Sequence, residues 1–233
     1  MKRLKIIFIM ALSAIFICCA NMSKKTDGGE VNDNTPNDVR TFGLVGNVKE
    51  VSVTVLDLSS ETPESWVDST QCMKFDDSGR VLKDRFDLLY KYDDKGNFVY
   101  GLSEKSVMRR DEQGRIVYYE NRMDEEDDLG FDLKIEYDDK GRMAKTQIVG
   151  WEATVDESYI YTNDHVYPDQ QNLESEDEGD HYSSVITYTY KKFDDKGNWT
   201  EREIKMVSKH TVDDEDQGTE ESSQIEQRKI LYY

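Results

Sequence analysis

The chain has 233 residues, 36% of them hydrophobic, and carries 49 acidic against 30 basic side chains for a formal net charge of −19. A balance this acidic lacks the Lys and Arg needed to neutralise phosphates, which excludes nucleic acid as a partner, and no polybasic segment in the body would hold an anionic lipid surface. The 3 Trp, 14 Tyr and 8 Phe speak against wholesale disorder.

In chain order, residues 1–20 read as an export signal. Lys2, Arg3 and Lys5 form a basic start, and Ile6 to Ile17 form an apolar run broken only by Ser13. The run is too short for a spanning helix, which needs about 20 residues, but suits a signal-peptide core. It ends in Cys18-Cys19-Ala20, which resembles the lipobox of bacterial lipoproteins, where a cysteine becomes the lipidated first residue. Cys19 is the better acceptor, because the small Cys18 precedes it, whereas Cys18 follows bulky Ile17. Phe16 departs from the usual Leu three positions earlier, and ordinary cleavage after Ala20 is the alternative. The expected plan is a signal peptide over 1–19, a polar tether over 20–40 and one domain over 41–233. A flexible tether of that length has a root-mean-square reach of roughly 25 Å. Cys72 is the single cysteine left in the body, so no internal disulfide is expected.

One unit then recurs: aromatic, Asp, acidic, any residue, Gly, Arg or Asn, apolar. Full copies are Phe75–Val81, Tyr92–Phe98, Tyr137–Met143 and Phe193–Trp199. A copy at Arg110–Ile116 has lost its aromatic, and Tyr161–Val166 reads as a decayed sixth. The unit carries turn chemistry. Its first Asp (Asp76, Asp93, Asp111, Asp138, Asp194) accepts from backbone amides just ahead. Its Gly (Gly79, Gly96, Gly114, Gly141, Gly197) supplies the left-handed residue of a three-residue hairpin loop. That loop places Phe75 opposite Val81, Tyr92 opposite Phe98, Tyr137 opposite Met143 and Phe193 opposite Trp199. Each such cross-strand pair stabilises by about 0.2–1 kcal/mol over Ala–Ala.

The flanks have strand character. Phe131, Leu133, Ile135 and Tyr137 alternate with Asp132, Lys134 and Glu136, and residues 185–193 are rich in β-branched and aromatic types. Residues 46–55 open the sheet and 225–233 close it. Acidic stretches at 121–130, 150–156, 168–180 and 212–221 read as the opposite loops. The expected fold is all-β: an antiparallel meander of about 12–14 strands with little helix, as an open twisted sheet, a roll or a partly closed barrel.

These units resemble the YD repeats of the RHS family, whose hallmark is Tyr-Asp-x-x-Gly-Arg/Asn followed by an apolar residue. The wider plan is similar to repeat-bearing lipoproteins of Bacteroidota, on the Gly46-Asn47-Val48-Lys49-Glu50-Val51 opening, the 193–200 segment and the 228–233 ending. The resemblance covers residues 75–199 best. It implies β-hairpin architecture and an envelope location, at the outer membrane, and brings no catalytic residue. The glycines are spaced 17, 18, 27 and 56 apart, less evenly than regular RHS repeats.

Candidate chemistry is sparse. The Asp pairs at 76–77, 93–94, 138–139 and 194–195 offer oxygen ligands for calcium, or simply form turns. The run from Asp213 lacks the bidentate Glu at its twelfth position, where Gln224 stands. No metal site or cofactor is expected. His165, His181 and His210 are far apart, and a dyad of Cys72 with one of them has no local motif. Trp66, Trp151, Trp199, Tyr188 and Tyr190 either line a ligand surface or cover the core of a thin sheet. The functional expectation is a cell-envelope lipoprotein, held to the membrane by its lipid alone, acting as a non-catalytic module for an unknown protein or glycan partner. The alternative is a secreted hydrolase using a carboxylate pair.

Overall fold

A computed structural model describes residues 38–58, 65–83, 90–101, 105–121, 130–150, 153–162, 167–177, 179–213 and 215–233. The export segment, the lipobox with Cys19 and most of the tether lie outside them. The described residues form one single-turn helix, α1 (Asp38–Thr41), and fourteen strands. These are β1 (Val48–Asp57), β2 (Ser65–Phe75), β3 (Val81–Lys83), β4 (Lys91–Tyr92), β5 (Phe98–Tyr100), β6 (Val107–Arg110) and β7 (Ile116–Asn121). They continue with β8 (Phe131–Tyr137), β9 (Met143–Gly150), β10 (Ala153–Ile160), β11 (Gln170–Asp177), β12 (Asp180–Phe193), β13 (Trp199–Val212) and β14 (Glu215–Tyr232).

Twelve strands make one antiparallel sheet in the order β3-β2-β1-β14-β13-β12-β11-β10-β9-β8-β7-β6, and β4-β5 is a separate hairpin. The order is a meander broken once, where β14 returns to pair with β1, Val53 facing Arg228 and Val55 facing Glu226. Each pairing follows the alternation of side chains. On β8 Leu133 and Ile135 are buried between outward Asp132, Lys134 and Glu136, and on β10 Val155, Glu157 and Tyr159 are buried.

Among the described residues no second layer of sheet or long helix covers that buried face, so the sheet must curl over it. Its interior holds two large apolar clusters, beside a small one of Tyr167 and Trp199. One is built on Ile116, Tyr119, Leu133, Ile135, Ile148, Leu173, Ile186 and Tyr188, the other on Val48, Val51, Val53, Val55, Phe75 and Val81. Tyr90 packs against both. Hydrogen bonding does not close the sheet into a barrel: β3 and β6 are its two free ends.

Asp38 spans that opening. It is 0% exposed. Its carboxylate accepts from the Val81 amide of β3 at 2.8 Å, from the Tyr92 hydroxyl of β4 at 3.2 Å and from the Arg110 guanidinium of β6 at 2.5 Å. Tyr90 completes the bridge, donating its amide to the Leu82 carbonyl at 2.9 Å while its ring meets Phe98 and Tyr119. Burial and then the charge of Asp38 push the Tyr92 phenol far above its ordinary range.

Two expectations are corrected. The folded part reaches back into the segment read as tether, since Asp38 and Val39 are buried. A polar tally cannot detect a carboxylate whose partner lies 72 residues away. The acidic stretches read as long loops at 168–180 and 212–221 are largely strand, because Gln171, Leu173 and Ser175 point inward while Glu174 and Glu176 point to solvent. Counting acidic residues hid that alternation.

Asp38→Ala is expected to leave the Arg110 guanidinium without its carboxylate and to lower stability by about 3–5 kcal/mol. Chemical denaturation of the variant against the parent measures this.

Candidate functional site

The repeat units form five turns of one geometry, and their first Asp organises each. In the first, the Asp76 carboxylate accepts from the Ser78 and Arg80 amides, both at 2.9 Å. The Gly79 amide donates to the Asp76 carbonyl at 2.9 Å, and the Asp76 amide to the Arg80 carbonyl at 2.9 Å. Asp93, Asp111, Asp138 and Asp194 repeat the pattern. Gly79, Gly96, Gly114, Gly141 and Gly197 have φ of 76°, 81°, 79°, 77° and 89°, the region where a Cβ is strained. Phe75 faces Val81, Tyr92 faces Phe98, Tyr137 faces Met143 and Phe193 faces Trp199, and Arg110 faces Ile116 in the aromatic-less copy.

Behind every turn lies a feature that the sequence reading missed. The return strand carries one extra residue: Leu82, Val99, Val117, Ala144 and Thr200 are bulged. The bulge shifts the inward phase by one. Thus Met143, Thr146 and Ile148 are buried on β9, Ile116, Tyr119 and Asn121 on β7, and Trp199, Arg202 and Ile204 on β13.

The Arg of a unit has two roles. In its own turn it grips the Asp: Arg115 Nε and Nη2 lie 2.7 and 2.6 Å from Asp111, and Arg142 Nε and Nη2 lie 2.8 and 2.7 Å from Asp138. Its guanidinium also covers the aromatic of a following turn. Arg80 lies over Tyr92 at 5.0 Å, Arg115 over Tyr137 at 4.1 Å and Arg142 over Tyr161 at 4.0 Å. Beneath that cover, Tyr137 and Tyr161 donate their hydroxyls to the Ile116 and Met143 carbonyls at 2.8 and 2.9 Å. Tyr161 therefore holds the aromatic position of its decayed unit. Asn198 serves differently, exchanging hydrogen bonds with the Val45 backbone at 2.8 and 2.9 Å and so tying the lead-in to β1 onto the last turn.

The aromatic residues singled out as a ligand surface do not form one exposed surface. Trp199 is 0% exposed and Tyr188 is buried, both in the interior. Tyr190 is half-buried against Tyr167 and Trp199. Trp66 stands 46% exposed on β2, and Trp151 lies outside the described residues. The reason is the bulge phase and the burial of the inward row, which take Trp199 and Tyr188 into the core.

Interior charges are compensated locally. Arg202 Nη2 lies 2.6 Å from Glu226, with Trp199 and Tyr188 rings beside the guanidinium. Burial opposes its charge, yet Glu226 holds it protonated above the ordinary range. Glu157 accepts from Thr146 at 2.6 Å and from Tyr159 at 2.5 Å, and Tyr188 donates to Gln171 at 2.6 Å.

Other candidate groups are separated. Cys72 sits half-buried on β2, while His181 pairs with Glu174 at 3.0 Å and His210 stacks on Tyr182 at 4.0 Å; His165 lies outside the described residues. Among the described residues no three His, Cys, Asp or Glu converge on a point that would hold a metal ion.

Two outcomes are expected. Asn97's side chain first, and then its amide, hold the Asp93 carboxyl below its ordinary range. At Asp111 burial pushes upward, but the Arg115 side chain and amide outweigh it and the net shift is downward. Carboxyls lowered in this way stabilise the fold above about pH 4 and lose that contribution as pH falls through their folded values. Asp111→Asn should flatten the acid limb of a stability–pH series measured by urea denaturation. Tyr161→Leu should cost about 1–2 kcal/mol by removing the ring under Arg142 and the bond to Met143, read as a shift in unfolding midpoint.

Compared with protein-family models and with curated proteins, the chain matches none.

Proposed function

We propose that the protein is a cell-envelope lipoprotein, anchored through Cys19, whose sheet of YD-type units acts as a non-catalytic binding or scaffold module. One observation carries the reading: the residues that define the unit are consumed in building the sheet. The Asp closes its turn, the Arg grips that Asp and covers a following Tyr, and the apolar residue is buried. Such a unit repeats architecture and leaves function to the faces and loops it displays. The apolar run before Cys18-Cys19 supports an anchored location, and the resemblance to RHS-type lipoproteins supports the outer membrane. The partner on this reading is a protein or a glycan. A hydrolase using paired carboxylates is less well supported, since the buried carboxylates Asp38, Glu157 and Glu226 each have a structural partner.

Metabolic labelling with a lipid probe in a bacterial host tests the anchor. The parent is expected to take up label and sediment with membranes, and Cys19→Ser to lose both. An unlabelled parent refutes the anchor, and label lost only in Cys18→Ser moves it by one residue.

A further inference from the structure

Strand β14 runs on past the end of its neighbour β1. The two pair only as far as Asp57 opposite Gln224, and the Leu58 amide makes the last contact, donating to the Ser223 carbonyl at 2.9 Å. On its other side β14 stays paired with β13 out to Glu215 opposite Val212. Residues 215–222 therefore have a strand on one side, and among the described residues none on the other. All eight are exposed.

Along a strand, successive residues turn their backbone amide and carbonyl to opposite sides. The Ser223 carbonyl points to the β1 side, so the amides and carbonyls of Glu221 and Thr219 point the same way, into the open edge. The register against β13 is unbroken from Gly218 to Gln227, and the one irregularity is the bulged Gln217 beyond it. The edge at 218–222 is thus a regular strand backed by its ladder. Exposed backbone of this kind is a template for an added strand.

The side chains of the edge select what can be added. Glu215, Asp216, Glu220 and Glu221 stand within these eight residues, and among the described residues one ion pair, Lys209 with Asp216 at 3.8 Å, offsets them. Glu220 and Glu221 point to opposite faces of the sheet, so an incoming strand meets a carboxylate on each face. A second copy of this edge would set Glu beside Glu, and like charges across a strand pair destabilise it. A strand bearing Lys or Arg meets the opposite charge on both faces.

We propose that the open edge of β14 at residues 218–222 binds an extended segment of a partner protein, rich in Lys or Arg, as an added antiparallel strand in line with the end of β1. The site deepens the binding-module reading and rests on it. A failure of peptide binding removes this edge and leaves the module its other faces and loops; the lipid-labelling result bears on location alone.

Fluorescence anisotropy of a labelled peptide alternating Lys and Thr, titrated with the full chain at about 150 mM salt where the Debye length is about 8 Å, tests the edge. Saturable one-to-one binding is expected. Thr219→Pro should weaken it about tenfold, because proline removes an amide that faces the open side while the β13 ladder keeps its bonds. The same peptide with every backbone amide methylated should lose a similar factor against the unaltered protein. Equal binding of the methylated peptide overturns the proposal, since charge attraction to an acidic chain then accounts for the uptake. The absence of saturable binding overturns it, as does equal affinity for the peptide with Glu in place of Lys. Self-association of the chain that Thr219→Pro abolishes gives the edge to a second copy and also overturns it.

Discussion

A single sheet has one apolar face and, among the described residues, only α1 and the β4–β5 hairpin to set against it, and this constraint governs the molecule. Twelve strands can hide that face only by curling, and curling brings the two unpaired edges, β3 and β6, toward each other. An open edge of backbone amides and carbonyls invites pairing with another chain. Here the edges are bridged by side chains. Asp38 from α1 receives the Val81 amide on one side and Arg110 on the other, and the β4–β5 hairpin lays Tyr90 and Tyr92 across the gap. A buried charged group serves because one carboxylate can take donors from three elements at once, which no apolar side chain can do.

Departures from the repeat mark where the sheet has other work. The copy at 110–116 has Arg110 where others have an aromatic, and that Arg is the one that reaches Asp38. The last copy has Asn198 where three of the others have Arg, and its amide secures the lead-in to β1. The sixth copy has lost its turn sequence but kept Tyr161, because Arg142 still needs a ring beneath it. Regular units thus hold neighbouring hairpins together, and irregular ones join the ends of the sheet to the rest.

What could be read from the sequence was local. The pairing of Tyr137 with Met143, or Phe193 with Trp199, is set by turn chemistry within seven residues, so composition and spacing reveal it. The bulge behind each turn was not legible, because Leu82, Val99, Val117, Ala144 and Thr200 are of four different residue types and act only through register. Trp199 and Tyr188 could be read onto a ligand surface or into the core of a thin sheet, and the inward phase places both in the core. Asp38 looked like tether for want of its distant partner.

The placement of the chain's leading segment has a topographic consequence. Strand β1 starts beside the end of β14, Val48 facing Tyr232, and Val45 touches Asn198 of the last repeat turn. The polypeptide thus enters the fold from the side where the repeated hairpin bends gather. On the proposed anchor at Cys19, the chain from the lipid would meet the fold on that side, with the β11–β12 and β13–β14 connections at the opposite end.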